Sequence, residues 1–231
     1  MLQPIDALRE AILFLREVTR EKIIVKIAIL GGPGSGKTTL AQNLSALLHV
    51  PNHDLDTIGW THGDDIMAHI KEAAAIANQP TWIAEGVHII WTEPLFHHAD
   101  YIVLLDISWP VAAWRVIRRH IVKSLRGTNP YPGMKSLWNF LKFTRGYYTD
   151  RISADATVAE AVRVYLLEHE GDIELPSAER LSVRLETGRE AIPLTADFIR
   201  RYLEKYKKKV VIIKNNLNQK QFIEEVARHR V

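Results

Sequence analysis

The 231-residue sequence contains no cysteine, which excludes disulfides, thiolate nucleophiles, zinc ribbons and iron–sulfur clusters together. It has no hydrophobic run of membrane-spanning length. The apolar stretch from Ala11 to Leu15 is flanked closely by Arg9, Glu10, Arg16 and Glu17, too short and too charged for a signal peptide or a membrane span. Charge of one sign is also scarce: 30 Lys and Arg against 27 Asp and Glu leave a net +3, too little to argue for a nucleic-acid partner by itself. Low-complexity and collagen-like periods are absent. What remains is a chain 47% hydrophobic and 25% charged, the composition of a folded globular protein, with a cytoplasmic location as the default expectation.

Periodicity supplies the organisation. Leu2, Ile5, Leu8, Ile12, Leu15 and Val18 recur at helical spacing behind Pro4, predicting an amphipathic helix over 1–21. Ile23 to Leu30 is a β-branched run suited to a buried parallel strand, and Thr38 to His49 is an amphipathic helix stopped by Pro51. Further strands are predicted at Thr81–Ala84, Tyr101–Ile107 and Val210–Ile213, with helices at Asp64–Asn78, from Val111 to about Leu125, and from Asn218, which has Gln221 three residues on. Gly127, Asn129, Pro130, Pro132 and Gly133 mark a turn-rich stretch inside a mobile lid taken as 120–150. A helical insertion over 152–193 carries a capping-box pattern at Thr157 and Glu160, a helix stop at Gly171 and a second helix from Ser177 towards Gly188. Strands alternating with helices predict a single α/β domain over 1–231, its parallel sheet covered on both faces.

The strongest signal is Gly31-Gly32-Pro33-Gly34-Ser35-Gly36-Lys37-Thr38, which satisfies the phosphate-loop pattern in a strand-before, helix-after setting. Glycines let such a loop turn its amides onto phosphate oxygens, and the following helix adds its positive end. Lys37 is expected to reach the β and γ phosphates of ATP, Thr38 to bind Mg²⁺, and Thr39 to add a phosphate contact. Downstream, Asp54 and Asp56 stand two apart on an extended segment, which puts both carboxylates on one face. They would serve Mg²⁺ and an acceptor hydroxyl; alternatively one caps the next turn and the other is solvated.

The phosphate loop, Asp54-Leu55-Asp56-Thr57-Ile58-Gly59-Trp60, Trp82-Ile83-Ala84-Glu85-Gly86, Tyr101 to Asp106 and an arginine-bearing helix together resemble the DNA topology modulation protein family. That family is a branch of the small-molecule phosphate-loop kinases, more distantly similar to adenylate and shikimate kinases. The resemblance covers residues 22 to about 150 and resumes near Phe198. It implies a phosphate-loop NTPase three-layer sandwich, nucleoside monophosphate kinase-like, with five parallel strands in the order 2-3-1-4-5 and ATP as donor. It makes Asp54 a metal-associated acid, Asp56 an acceptor-binding acid and Glu85 a strand-end acid near Mg²⁺. After Glu85-Gly86 the chain continues Val87-His88, without the arginine by which adenylate kinases grip a nucleoside monophosphate.

Arg115 and Arg119 share a helix face and resemble the paired arginines ahead of the adenylate-kinase lid. Guanidinium groups there would stack on adenine and neutralise charge on the transferred phosphoryl group; the alternative is a solvated basic face. Leu137, Phe140, Leu141 and Phe143 have the spacing of a packed helix stripe, although the surrounding basic residues and aromatics also suit single-stranded nucleic acid. Asp106 sits where a Walker B acid would, and Lys205 to Lys209 complement a helix end. His97-His98 and His49 with His53 make no convincing metal site. The resulting expectation is an ATP- and Mg²⁺-dependent phosphotransferase acting on a small acceptor, with Lys37, Asp56, Arg115 and Arg119 catalytic, Thr38, Asp54 and Glu85 at the metal, and Trp60, His62, His88 and Trp91 as pocket residues. The alternative is a regulatory nucleotide-binding ATPase, DNA-associated, although no helix-turn-helix, zinc finger or long basic arm is present. No Asn-Lys-x-Asp signal argues for a GTPase, and no membrane partner is expected.

Overall fold

The computed structural model describes residues 24–169 and 174–228, without the side chains of 188–191. The helix expected over 1–21 and the helix stop at Gly171 lie outside the described residues. Five strands, β1 (Lys26–Leu30), β2 (Asn52–Asp54), β3 (Trp82–Gly86), β4 (Tyr101–Leu105) and β5 (Val210–Ile213), form one parallel sheet in the order β2-β3-β1-β4-β5. Helices α1 (Lys37–Leu48), α2 (Leu55–His62), α3 (Ile66–Ala77), α4 (Glu93–His98) and α5 (Trp109–Leu125) follow the first four strands in turn. Then come α6 (Met134–Thr149), α7 (Ala156–His169), α8 (Ala178–Ala191), α9 (Ala196–Tyr202) and, after β5, α10 (Asn216–Arg228).

The central strands read as continuous apolar runs because both faces are buried. Their side chains part with period two. Ala28, Leu30, Trp82, Ala84, Ile102 and Leu104 enter one core with α3, α4 and α9, whereas Ile27, Ile29, Ile83, Val103 and Leu105 enter the other with α1 and α10. Tyr101 closes the second core edge-on against Phe222 of α10, with ring centroids 5.5 Å apart.

Several local expectations change. The capping box at Thr157 and Glu160 is not formed: the Asp155 carboxylate accepts from the backbone N–H groups of Thr157 (2.8 Å) and Val158 (3.1 Å) instead, and Glu160 pairs with Arg163. An acid at the helix start outcompetes the expected threonine because a carboxylate accepts two amides and suits the positive helix end. The last helix likewise begins at Asn216, with Asn215 rather than Asn218 supplying the cap, its Oδ1 accepting from the Asn218 N–H at 2.9 Å. On α6, Leu137, Thr144, Tyr147 and Tyr148 are the buried residues, while Trp138 and Phe143 are exposed and Phe140 lies at the surface. The expected stripe of Leu137, Phe140, Leu141 and Phe143 is therefore split between the packed face and solvent.

The lysine-rich segment before β5 is more than a helix-end charge. Glu93, at the start of α4, is 1% exposed. Its carboxylate accepts from the Tyr202 hydroxyl, from Lys205 Nζ at 2.5 Å and from the Tyr206 hydroxyl at 2.5 Å. A fully partnered buried carboxylate is tolerated, but removing one member leaves an uncompensated charge at a cost of about 3–5 kcal/mol. Lys205→Ala is accordingly expected to lower the thermal midpoint by about 6–20 °C, with a matching fall in the urea midpoint, given roughly 2–4 °C per kcal/mol in a chain of this size. His97 and His98 serve the same corner. The His97 carbonyl accepts from Lys209 Nζ at 2.7 Å, and His98 Nδ1 donates to the Pro94 carbonyl at 2.9 Å.

Candidate functional site

The loop between β1 and α1 is shaped by backbone that only glycine adopts cheaply. Gly34 has φ +81° and Gly36, the residue before α1, φ +97°. A Cβ at Gly32 would lie 2.3 Å from the Tyr147 ring, and one at Gly34 would lie 2.6 Å from the Ala112 carbonyl oxygen. Gly34→Ala therefore meets both positive φ and an immovable backbone atom. It is expected to cost about 2–4 kcal/mol, read as a lower denaturation midpoint, and to weaken nucleotide binding with it.

The loop's carbonyls are held from outside. Arg115 Nη1 on α5 donates to the Ser35 carbonyl at 2.6 Å, the Tyr148 hydroxyl on α6 donates to the Pro33 carbonyl at 3.2 Å, and the Ser35 N–H returns to the Gly32 carbonyl at 3.1 Å. Burial pushes the Tyr148 phenol up, so it remains a neutral donor. Arg119, one turn beyond Arg115, is exposed and is not brought to the loop with it. Pro33 and Gly36 are partly covered, Gly31, Gly32 and Ser35 are buried, and Thr38 and Thr39 open towards solvent at the start of α1.

Lys37 stands between two carboxylates. Its Nζ is 3.7 Å from Asp56 Oδ2 and 3.8 Å from Glu85 Oε2. Glu85 is the penultimate residue of β3 and pairs in register with Asp54 at the end of β2, which sets the acids side by side at the carboxyl edge of the sheet. The extended-pair geometry expected for Asp54 and Asp56 is not what forms. Asp54 caps α2, its Oδ1 accepting from the Asp56 N–H at 2.9 Å and the Thr57 N–H at 3.4 Å, so Asp56 already belongs to the first helical turn. Helical geometry turns its carboxylate towards Lys37 and His88, whose Nε2 is 3.1 Å from Asp56 Oδ1.

These neighbours set the charges. The hydrogen bond from His88, aided by Lys37, holds the Asp56 carboxyl below the usual carboxylate range. Burial pushes Glu85 the other way, partly offset by the Thr38 hydroxyl and Lys37. Glu85 is 1% exposed and its Oε2 has no hydrogen-bond partner. An orphaned carboxylate oxygen beside a threonine hydroxyl and two aspartates is a hard oxygen set that fits Mg²⁺. Among the described residues no group of three His, Asp or Glu is gathered as a self-sufficient metal site. Asp106 is drawn elsewhere: its Oδ1 faces Arg200 Nη1 at 3.6 Å.

A cavity of about 420 Å³ opens beside Asp56. His88 lies against Trp91 at 5.1 Å with the ring planes tilted by 43°, Trp91 meets His69 at 5.3 Å, and His69 meets His62 edge-on at 5.7 Å. Trp60 stands at the mouth, 83% exposed, and Leu185, Ile192, Leu194 and Phe198 complete the apolar wall. The insertion thus has a placement that no motif within it signalled: Leu185 on α8 and Ile192 close the cavity from the far side. Ile90 was also missed. It lies between His88 and Trp91 with φ +73°, a conformation costly for a β-branched residue and found where surrounding packing enforces it.

A parallel sheet ordered 2-3-1-4-5, with a glycine-rich phosphate loop between its central strand and the next helix, defines a phosphate-loop NTPase three-layer sandwich. Among solved structures, the chain is similar to a shikimate kinase from Acinetobacter baumannii in complex with shikimate, at 15% identity over 66% of this chain and 97% of that one, with a TM-score of 0.36. It is similar also to a gluconokinase from Sinorhizobium meliloti 1021, at 12% identity over 91% of this chain and 93% of that one, with a TM-score of 0.40. No protein-family model matches the chain, and no curated protein matches it in sequence. No helix among the described residues is long and apolar enough to cross a membrane.

Proposed function

We propose that the protein is an ATP- and Mg²⁺-dependent phosphotransferase that moves the γ-phosphoryl group to a hydroxyl of a small acceptor. The observation that carries this reading is the position of Lys37, held between Asp56 and Glu85 where the phosphate loop meets the cavity. A loop that only sensed a nucleotide would have no need of a carboxylate shared between the phosphate lysine and a neighbouring cavity.

In this reading the loop amides and Lys37 hold the β and γ phosphates, and Asp56 accepts the acceptor's proton. Thr38, Asp54 and Glu85 would hold Mg²⁺, which neutralises phosphate charge when bound. Arg115 braces the Ser35 carbonyl, which keeps the neighbouring amides aimed inward. Its guanidinium also lies within 3.3 Å of where a Gly36 side chain would begin, close to the emerging helix end. Arg119 enters on closure of the α5–α6 hairpin over 120–150, acting as the lid. No Asp or Glu occurs between Asp106 and Asp150, a stretch bearing Arg115, Arg118, Arg119, Lys123, Arg126 and Lys135, which suits a polyphosphate. The ordered motifs also support a place beside the DNA topology modulation protein family, with a single domain over 1–231 and a cytoplasmic setting.

The test is ADP release from ATP and Mg²⁺ across a panel of small alcohols, nucleosides and nucleotides. Acceptor-dependent release that disappears in Lys37→Ala is the expected result. Release indifferent to every acceptor, or stimulated by duplex or single-stranded DNA alone, would return the protein to the regulatory ATPase class.

A further inference from the structure

The cavity beside Asp56 has a chemistry narrower than "small alcohol". At its inner end stands the Asp56 carboxylate, with Lys37 Nζ at 3.7 Å and His88 Nε2 at 3.1 Å. Among the described residues lining it, none is Lys or Arg. A carboxylate or phosphate on the acceptor would therefore face Asp56 without a described cationic partner, and burying an unpaired anion is strongly unfavourable. An organic cation at Asp56 would face a like charge, because Lys37 Nζ lies 3.7 Å from the same carboxylate.

The walls favour flat ligands. Three aromatic rings form a continuous row, His88 on Trp91 at 5.1 Å and Trp91 on His69 at 5.3 Å, with Trp60 exposed at the mouth. Planar rings stack on such a surface with both dispersion and quadrupole terms in their favour. His69 adds a polar edge: burial holds its pKa below the usual imidazole range, so it faces a ligand as a neutral group, and its Nε2 is buried with no hydrogen-bond partner. The volume, about 420 Å³, lies within the roughly 300–1,000 Å³ typical of small-molecule sites.

From these features we infer that the acceptor is an uncharged nucleoside-like molecule, a planar heteroaromatic ring carrying a hydroxylated arm, stacked along Trp91 with its hydroxyl at Asp56. The inference rests on the phosphotransferase reading. In the step it implies, the acceptor hydroxyl oxygen bonds to the γ-phosphorus of ATP as the bond to the β–γ bridging oxygen breaks. The hydroxyl proton passes to Asp56 and on to solvent, and ADP leaves with the electron pair.

The test compares neutral nucleosides with the corresponding monophosphates, a hydroxy acid and a quaternary amino alcohol, each with ATP and Mg²⁺ and the full chain, reading phosphorylated product. Nucleosides are expected to exceed each charged class by at least about tenfold in kcat/KM, following the penalty for an unpaired buried charge. Trp91→Ala is expected to raise nucleoside KM about tenfold with little change in kcat, the signature of a lost stacking surface. Because Trp91 is buried and its loss leaves a void beneath the loop, Leu194→Arg, at a lining position 42% exposed, provides a second variant. It adds a cation to the wall and should shift preference towards monophosphates by about fivefold or more.

Preference for the hydroxy acid, the monophosphates or the amino alcohol in the native chain would overturn the nucleoside assignment and leave phosphotransfer standing. If no acceptor is phosphorylated, phosphotransfer itself falls. Quenching of tryptophan fluorescence by nucleosides without ATP then decides the pocket: saturable quenching, weakened in Leu194→Arg, supports the assignment, and no quenching overturns it.

Discussion

Replacing Lys37 by alanine is expected to lower acceptor-dependent ADP release about 10³-fold, the scale seen when a charged group aimed at a transferring phosphoryl is removed. The same change should reduce stability. Lys37 is the cation facing both Asp56 and Glu85, and Glu85 is almost completely buried. Without it the Glu85 carboxyl is driven further up and the charged form becomes harder to accommodate. Lys37→Arg separates the two effects. It returns a cation to the acids and should recover most of the thermal midpoint. A planar guanidinium does not replace a compact ammonium within a loop whose glycines admit no extra bulk, so turnover should stay low. Thermal unfolding and ADP release on the three proteins check this; parallel recovery of both would mean that Lys37 acts only through charge compensation.

The second large effect concerns Asp56. Asp56→Asn keeps the shape of the α2 start, because the cap belongs to Asp54, but removes the proton acceptor. A fall of about 10²–10⁴ in kcat is expected with ATP binding retained. Its pH dependence carries a sign. Since the His88 hydrogen bond lowers the folded-state pKa, Asp56 stays ionised below the ordinary carboxylate range. Its contribution to stability is present above the unfolded value and is lost only as pH falls through the depressed folded one. His88→Gln should therefore move the acid limb of the rate profile upward, towards the ordinary carboxylate range. A limb that stays in place would show that another group sets it.

Much of the architecture was legible because it rests on short-range rules. Ile23 to Leu30, the glycine loop and Thr38 to His49 announce a buried strand, a phosphate turn and an amphipathic helix by composition alone, and they form at β1, the loop and α1 with boundaries shifted by one to three residues. The site residues divide differently. Lys37 follows from the loop, and Glu85 from its place at the end of a predicted strand. Of the two readings open for Asp54 and Asp56, Asp54 takes the capping one, because two-residue spacing implies a shared face only while the chain stays extended, and the Asp54 cap ends the strand there. His88 was visible as a pocket residue but not as the partner of Asp56, since that contact depends on how β3 and α2 meet. Ile90 gave no signal: a β-branched residue is a poor predictor of positive φ, and tertiary packing alone forces it. The Glu93 cluster joins residues more than a hundred positions apart, beyond the reach of any local pattern.

The two outside bonds to the phosphate loop, from Arg115 to the Ser35 carbonyl and from Tyr148 to the Pro33 carbonyl, have a mechanical meaning. They anchor the loop to opposite arms of one helical hairpin, so the base of that hairpin is a strut and its tip a lever. A load applied at the tip, around Gly127 to Gly133, reaches the anion cradle along the two helical arms, α5 and α6. Lengthening or shortening that tip is thus a way to tune the loop's grip on phosphate without altering a single residue of the loop.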